Sequence, residues 1–355
     1  MNYTTGIILL FMTLSESLSF AQQKLLPSLP IPISNNAVAS SGTNKPTLFS
    51  FHGLLQGKTH KDVTNRAFAL EYGASAWQEL PPVPGPGRLA SVAATVKNQV
   101  YIFGGYTVAK DGSEVSTPEV YVYDQRAKSY RLETKIPTPV DDSVALTYLD
   151  RYIYLVSGWH DKGNVTLVQI YDSQKKTWSK GTAYPGLGVF GHSAGIVGHQ
   201  MLVCDGVIVA GIKNKKRQFA IHDACYLGEI DKKNPNNISW QKVAKHPGLP
   251  RYRSASVGFV SKGESYVAFV GGSTNPYNYN GIGYNGVLSS PLTNHIVFDF
   301  RRKSWSLVSP IRLATMDHRG LLPYGDKFIT IGGMIAGATV TDKIVSLPAA
   351  QLLAK

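Results

Sequence analysis

Six polar or ionisable residues recur along this chain at intervals of roughly 50 residues, each just ahead of a short apolar run: Asn36, Arg88, Asp142, His192, Arg253 and His318. Several have a second such group beside them, with Asp141 before Asp142, and Asp317 and Arg319 flanking His318. Histidines and carboxylates can exchange protons with a ligand near neutral pH, and arginine recognises a carboxylate through two parallel hydrogen bonds. Gathered at one place, these groups could hold a small anion and move protons on it. Dispersed, each would merely satisfy backbone groups at a turn, and the abundance of arginine and histidine favours the first reading.

The elements that would gather them are legible as repeats. Val100 to Gly105 (VYIFGG) returns as Tyr152 to Gly158, Met201 to Gly206, Tyr266 to Gly272 and Phe328 to Gly333, and more faintly as Thr47 to Gly53. Each is a β-branched and aromatic run closed by glycine, the signature of a buried strand whose end needs a conformation that side chains disfavour. After each comes a strand ending in an apolar residue and an acid, as at Tyr123-Asp124, Tyr171-Asp172 and Phe298-Asp299. A large aromatic then opens a fourth strand, at Trp77, Tyr130, Trp178, Trp240 and Trp305.

Glycine pair, Tyr-Asp and Trp in this order resemble kelch repeats, in which each unit is a four-stranded propeller blade. The expected fold is all-β, a six-bladed kelch β-propeller. Its last unit supplies three strands, from His318 to Tyr324, Lys327 to Gly333 and Thr341 to Leu347. The missing fourth is expected from the N-terminus, where Lys24-Leu25-Leu26-Pro27 matches the Leu-Pro after Trp77, so that the ring is closed by an N-terminal strand in the last blade. Strand one of each blade lines the channel and starts at the rim where strand two ends, which places the six residues on one face.

Residues 1–21 have a polar opening, an apolar run over Gly6 to Leu14 and small residues at Ser19 and Ala21, and read as a secretory signal peptide too short to span a bilayer. Residues 22–355 are expected to form a single propeller domain, periplasmic or secreted, with no membrane span. The formal net charge of +13 favours acidic ligands, and export argues against nucleic acid. The densest basic run, Lys213 to Arg217, falls where a hairpin loop should be and reads as a solvated loop. The two cysteines, Cys204 and Cys225, fall on neighbouring strands of one unit, placed either for a disulfide or as two buried thiols. No metal-ligand spacing is present, and no metal or other cofactor is expected.

Two insertions enlarge the rim. Ser273 to Asn294 is a long, nearly uncharged loop whose Tyr277, Tyr279 and Tyr284 could stack on a sugar ring, and Trp159-His160 could face the same wall.

The opening LLPSLPIPI, the PGPGR ending at Arg88 and the closing IGGMIAGATVTDKIV resemble the bacterial N-acetylneuraminate epimerases, periplasmic six-bladed kelch proteins. The resemblance implies an isomerase interconverting the anomers of a released sialic acid, with a small acidic sugar as ligand. Anomerisation needs a base for the anomeric hydroxyl, an acid for the ring oxygen and a cation for the carboxylate. On that reading His192, His318 and Asp142 are the proton-transfer candidates. Arg88 is the first choice for the carboxylate, with Arg253 or Arg319 second, and Asn36 and Tyr279 complete the substrate contacts. Two alternatives stand beside it: a non-catalytic kelch module binding a glycan or protein through the rim, and a galactose-oxidase-like copper enzyme, which needs a cysteine cross-linked to a tyrosine.

Overall fold

The computed structural model describes residues 26–308, 311 and 313–353. The segment read as a signal peptide lies outside them, as do Lys24 and Leu25 of the expected closing strand. Six antiparallel sheets follow one another in chain order, and their inner strands are Ala37–Ser41, Val92–Val96, Val144–Tyr148, Ser193–Val197, Ala255–Ser261 and Leu322–Tyr324. Five blades have four strands. The sixth has three among the described residues, ordered Leu322–Tyr324, Lys327–Ile331 and Ile344–Pro348. The glycine-ended runs are the second strands, buried towards their glycine ends because a propeller blade packs on both faces against its neighbours.

Between blades the core is aromatic and aliphatic. Tyr130 on the fourth strand of blade 2 meets Phe51 of blade 1 edge-on at 6.4 Å, and Trp178 of blade 3 meets Phe103 of blade 2 at 6.3 Å. The indole N–H groups point the same way. Trp178 donates to Thr134 Oγ1 at 3.2 Å, Trp240 to the Thr182 carbonyl at 3.3 Å and Trp305 to the Ala244 carbonyl at 2.8 Å, each at the outer edge of the preceding blade. Trp77 of blade 1 makes this bond to the Pro27 carbonyl at 2.9 Å. Pro27 therefore stands to Trp77 as outer-strand ends stand to the other tryptophans. Backbone bonds from Leu29 to Asp342 and from Ile33 to Thr341 tie the same N-terminal segment to blade 6.

The turn before each inner strand repeats around the ring. One residue bridges to the residue after the glycine end of its own blade, as Leu89 does to Tyr106 and Asp141 to Trp159. The next is left-handed: Asn35, Ala90, Asp142, Gly191, Arg253 and Asp317, with φ between 49° and 70°. These turns are stitched blade to blade. Asn35 N–H donates to the Asp317 carbonyl (3.2 Å), Ala90 to Asn35 Oδ1 (2.6 Å) and Asp142 to the Ala90 carbonyl (3.2 Å). Gly191 donates to Asp142 (2.8 Å), Arg253 to Gly191 (2.7 Å) and His318 to Arg253 (3.1 Å), closing a girdle of hydrogen bonds around the channel. Glycine is required opposite this girdle, since a Cβ on Gly105 would lie 2.2 Å from Ser91 Oγ.

Candidate functional site

The six spaced residues do not occupy equivalent places in this turn, and their side chains point in different directions. Arg88 precedes the bridging position. Its guanidinium turns into blade 2, where it donates to the carbonyls of Gly104 (3.3 Å) and Glu119 (3.4 Å) and pairs with the Glu119 carboxylate at 3.0 Å. Arg251, not singled out from the sequence, does the same in blade 5 with the carbonyls of Gly271 (3.0 Å) and Asn294 (2.9 Å). Both arginines donate to carbonyls at the ends of strands.

Asn36, His192 and His318 follow the left-handed position and are buried between blades. Asn36 donates to Ser50 Oγ at 2.8 Å, His192 Nε2 meets the Val156 carbonyl at 2.9 Å, and His318 Nε2 meets Thr315 Oγ1 at 2.8 Å. Burial lowers the pKa of His192 to about 4 and that of His318 to about 3, so both are neutral at pH 7. Neither lines the cleft described below.

Asp142 and Arg253 hold the left-handed position itself and do meet. Arg253 grips the Asp142 carboxylate with both Nη2 and Nε, the latter at 3.1 Å, and reaches Asp317 through Nη1 at 3.0 Å. Arg319 adds a bond to Asp142 at 2.7 Å and one to Asn35 Oδ1 at 2.6 Å. Two acids and two arginines thus neutralise one another in the channel. Burial opposes the charge on Asp142, but Arg253 and Arg319 override it and hold the pKa below the ordinary carboxylate value.

Beside this cluster, on the rim, opens a cleft of about 280 Å³ over blades 2 to 5. Its acids are Glu114, Asp141 and Asp142; Arg217 and Arg253 are its cations; Trp159, Phe219, Tyr279 and Tyr284 form much of the wall. Asp141 is buried and accepts a hydrogen bond from Ser116 Oγ at 2.6 Å. Burial, and then the adjacent charge of Asp142, raise its pKa well above the ordinary carboxylate value. Glu114 stands at the cleft mouth on the same short strand as Ser116, two residues away and on the same face. Glu114 is itself exposed to solvent, and partial desolvation by the cleft walls, opposed by Arg253 and reinforced by Asp142, raises its pKa to about 7.

Two rim hairpins carry the rest. Tyr106–Val108 pairs with Glu114–Ser116, and Val207–Lys213 pairs with Lys216–Ile221. The basic run read as a solvated loop is the tip of the second. There Arg217 lies 5.1 Å over the Trp159 ring, and Phe219 packs 4.2 Å from Tyr284 of the long blade 5 loop. Tyr279 also lines the cleft, whereas Tyr277 is fully buried against Tyr252. Glu114, Arg217 and Phe219 were missed from the sequence. The available signal was the extra length between a glycine end and the next Tyr-Asp, with strand-like alternation on both sides of a turn at Asp111-Gly112 and at Asn214-Lys215.

Cys204 and Cys225 face each other in register on strands two and three of blade 4, Cα to Cα 4.1 Å, and are joined as a disulfide. The copper-oxidase alternative needs a cysteine free for tyrosine, and both are in this bond. Asp205, Cys225 and His246 bring ligand-type atoms within 4.8 Å of one another, but the Cys225 sulfur is bonded and His246 Nε2 is engaged by Asp205 at 3.0 Å. Among the described residues no helix is long and apolar enough to cross a membrane.

No protein-family model matches the chain. It is 27% identical over 161 residues to beta-scruin of Limulus polyphemus, covering 44% of this chain but only 17% of that protein. To the N-acetylneuraminate epimerase of Salmonella arizonae it is 22% identical over 374 residues, covering 90% of this chain and 89% of the relative. The solved structure of YjhT superposes with a TM-score of 0.71 at 16% identity, over 91% of this chain and 99% of that one. Blade count, repeat order and end-to-end similarity together identify the chain as a kelch-repeat, six-bladed β-propeller that resembles the N-acetylneuraminate epimerases.

Proposed function

We propose that this protein is exported and interconverts the anomers of a small acidic sugar in the rim cleft, with Asp141 as proton donor and Glu114 as proton acceptor. The observation that carries the reading is the meeting of three acids in one cleft with their pKa values driven apart. The pKa of Asp142 is held below the ordinary carboxylate value, that of Asp141 is raised well above it and that of Glu114 is brought to about 7. Pairs of acids driven apart in this way are what acid–base catalysis at neutral pH needs. Glu114 takes the proton of the anomeric hydroxyl while Asp141 protonates the ring oxygen. The bond from the anomeric carbon to the ring oxygen breaks, a carbonyl forms, and closure on its other face reverses both transfers. Trp159, Phe219 and Tyr279 offer apolar faces to the ring. Arg217 bears no carboxylate partner among the described residues, unlike Arg253 and Arg319, and is the cation left for the sugar's carboxylate. The relatives that match the chain along nine-tenths of its length are named for N-acetylneuraminate, which selects the sugar to test first.

The test follows proton NMR of N-acetylneuraminate after release of its α anomer, with and without the protein. Anomer equilibration is expected to accelerate, and Asp141→Asn to lower the acceleration by roughly 100-fold. A spontaneous rate accompanied by broadened sugar resonances would return the chain to the non-catalytic binding reading.

A further inference from the structure

Arg217 lines two concavities. Besides the cleft it borders a neighbouring groove of about 330 Å³, which runs outward between the rims of blades 3 and 4. The two differ in chemistry. The cleft holds three acids, whereas the groove has none among its lining residues and is bordered by Lys162 and Arg217. Its other exposed surface is aliphatic: Leu187 is 57% and Ile212 75% exposed, both conspicuous for large apolar side chains on a protein surface. Its walls are tied together, because the Asn164 side-chain amide donates to the Gly188 carbonyl at 2.5 Å and the Val207 carbonyl at 2.7 Å. A pre-formed groove offering cations beside aliphatic patches suits a ring that is apolar on one face and carries a carboxylate.

We infer that the groove is a second sugar subsite, so that the preferred substrate is the reducing end of an acidic oligosaccharide rather than a free monosaccharide. This rests on the reading of the cleft given above. The anomeric carbon of the terminal unit lies between Asp141 and Glu114, and its carboxylate meets Arg217 at the junction. The next unit lies along Leu187 and Ile212 with its carboxylate toward Lys162. Only the terminal unit has a free anomeric hydroxyl, so the second contributes binding and no chemistry. The basic tip Lys213 to Arg217 extends the positive field along the same path.

The probes are N-acetylneuraminate and its α2,8-linked dimer, with dissociation constants from calorimetry and anomer exchange from NMR in the same samples. The wild-type protein is expected to bind the dimer about tenfold more tightly than the monomer. In the double variant Lys162→Glu/Ile212→Asp, whose two sites are exposed and outside the core, the ratio should fall to about twofold or less. Equal affinities in the wild type, or a ratio that survives in the variant, overturns the subsite. Dimer preference without accelerated exchange removes the catalytic reading and keeps the groove, acceleration without preference does the opposite, and no binding of either sugar overturns both.

Discussion

Asp142 keeps its charge because the guanidiniums of Arg253 and Arg319 surround it, and that fixed charge adds to burial in raising the pKa of Asp141 next to it in the chain. Residue type alone pointed to His192 and His318, since histidine ordinarily titrates near neutrality. In the folded protein burial removes that property from both, while Glu114, at the exposed mouth of the cleft, has a pKa of about 7. The sign of the pH effect follows. As pH rises through 7, Glu114 loses its proton and becomes a competent base, so the rate of anomer exchange should rise across roughly pH 6 to 8. In Glu114→Gln this limb should vanish along with most of the acceleration, which pH-dependent NMR exchange rates would show. A limb that persists in the variant would assign the base elsewhere.

The elements that shape the cleft are the rim hairpins rather than the blades. Phe219 and Arg217 project from the hairpin Val207–Ile221, which is inserted between the two disulfide-bonded cysteines of blade 4. The bond closes a sequence separation of 21 residues, for which chain entropy corresponds to about 3 kcal/mol. Cys204→Ser/Cys225→Ser should therefore lower unfolding free energy by about 2–4 kcal/mol, measured by denaturant titration. Because the hairpin's base is also pinned by the Phe190–Val207 bridge and the Asn164 amide, cleft binding should weaken less than stability does. Equal losses in both would mean that the disulfide, not the bridge, positions Arg217. The expected four-strand blades were legible in the glycine ends and the tryptophans. Of the hairpins, only a loop at Lys213 to Arg217 was, and not its packing onto Trp159, because that contact joins two blades.

Across the whole molecule, the girdle of left-handed turns fixes six blades around one channel and buries ionisable groups where blades meet. His52 is one of them, occupying the place that Gly104 has in blade 2 and fully buried, with burial and then Arg88 lowering its pKa to about 3. An unfolded chain takes up a proton there near pH 6.5 while the folded chain refuses it until about 3, so this stability term is intact above 6.5 and lost as pH falls below it. Between pH 6.5 and 5 the loss is about 2 kcal/mol. His52→Asn, which tolerates the left-handed backbone, should reduce the acid sensitivity of thermal unfolding by about that amount relative to the wild type; identical pH profiles would show that His52 finds a partner for its proton.

What the sequence determined by itself was the architecture. Strand periodicity, glycine ends and a recurring aromatic are local features, and six copies of a unit that cannot bury both faces alone have few ways to pack other than as a ring. It also placed candidate groups along one rim, and of these Asp142, Arg253, Arg319 and Tyr279 share one neighbourhood. The tertiary structure decided what each group does. Arg88 and Arg253 are the same residue type two turn positions apart in register, yet one caps strand ends and the other holds the channel carboxylates. Asp141 and Asp142 are adjacent and their pKa values shift in opposite directions, because charge depends on burial and on neighbours that arrive from blade 5 and blade 6, more than 100 residues away along the chain.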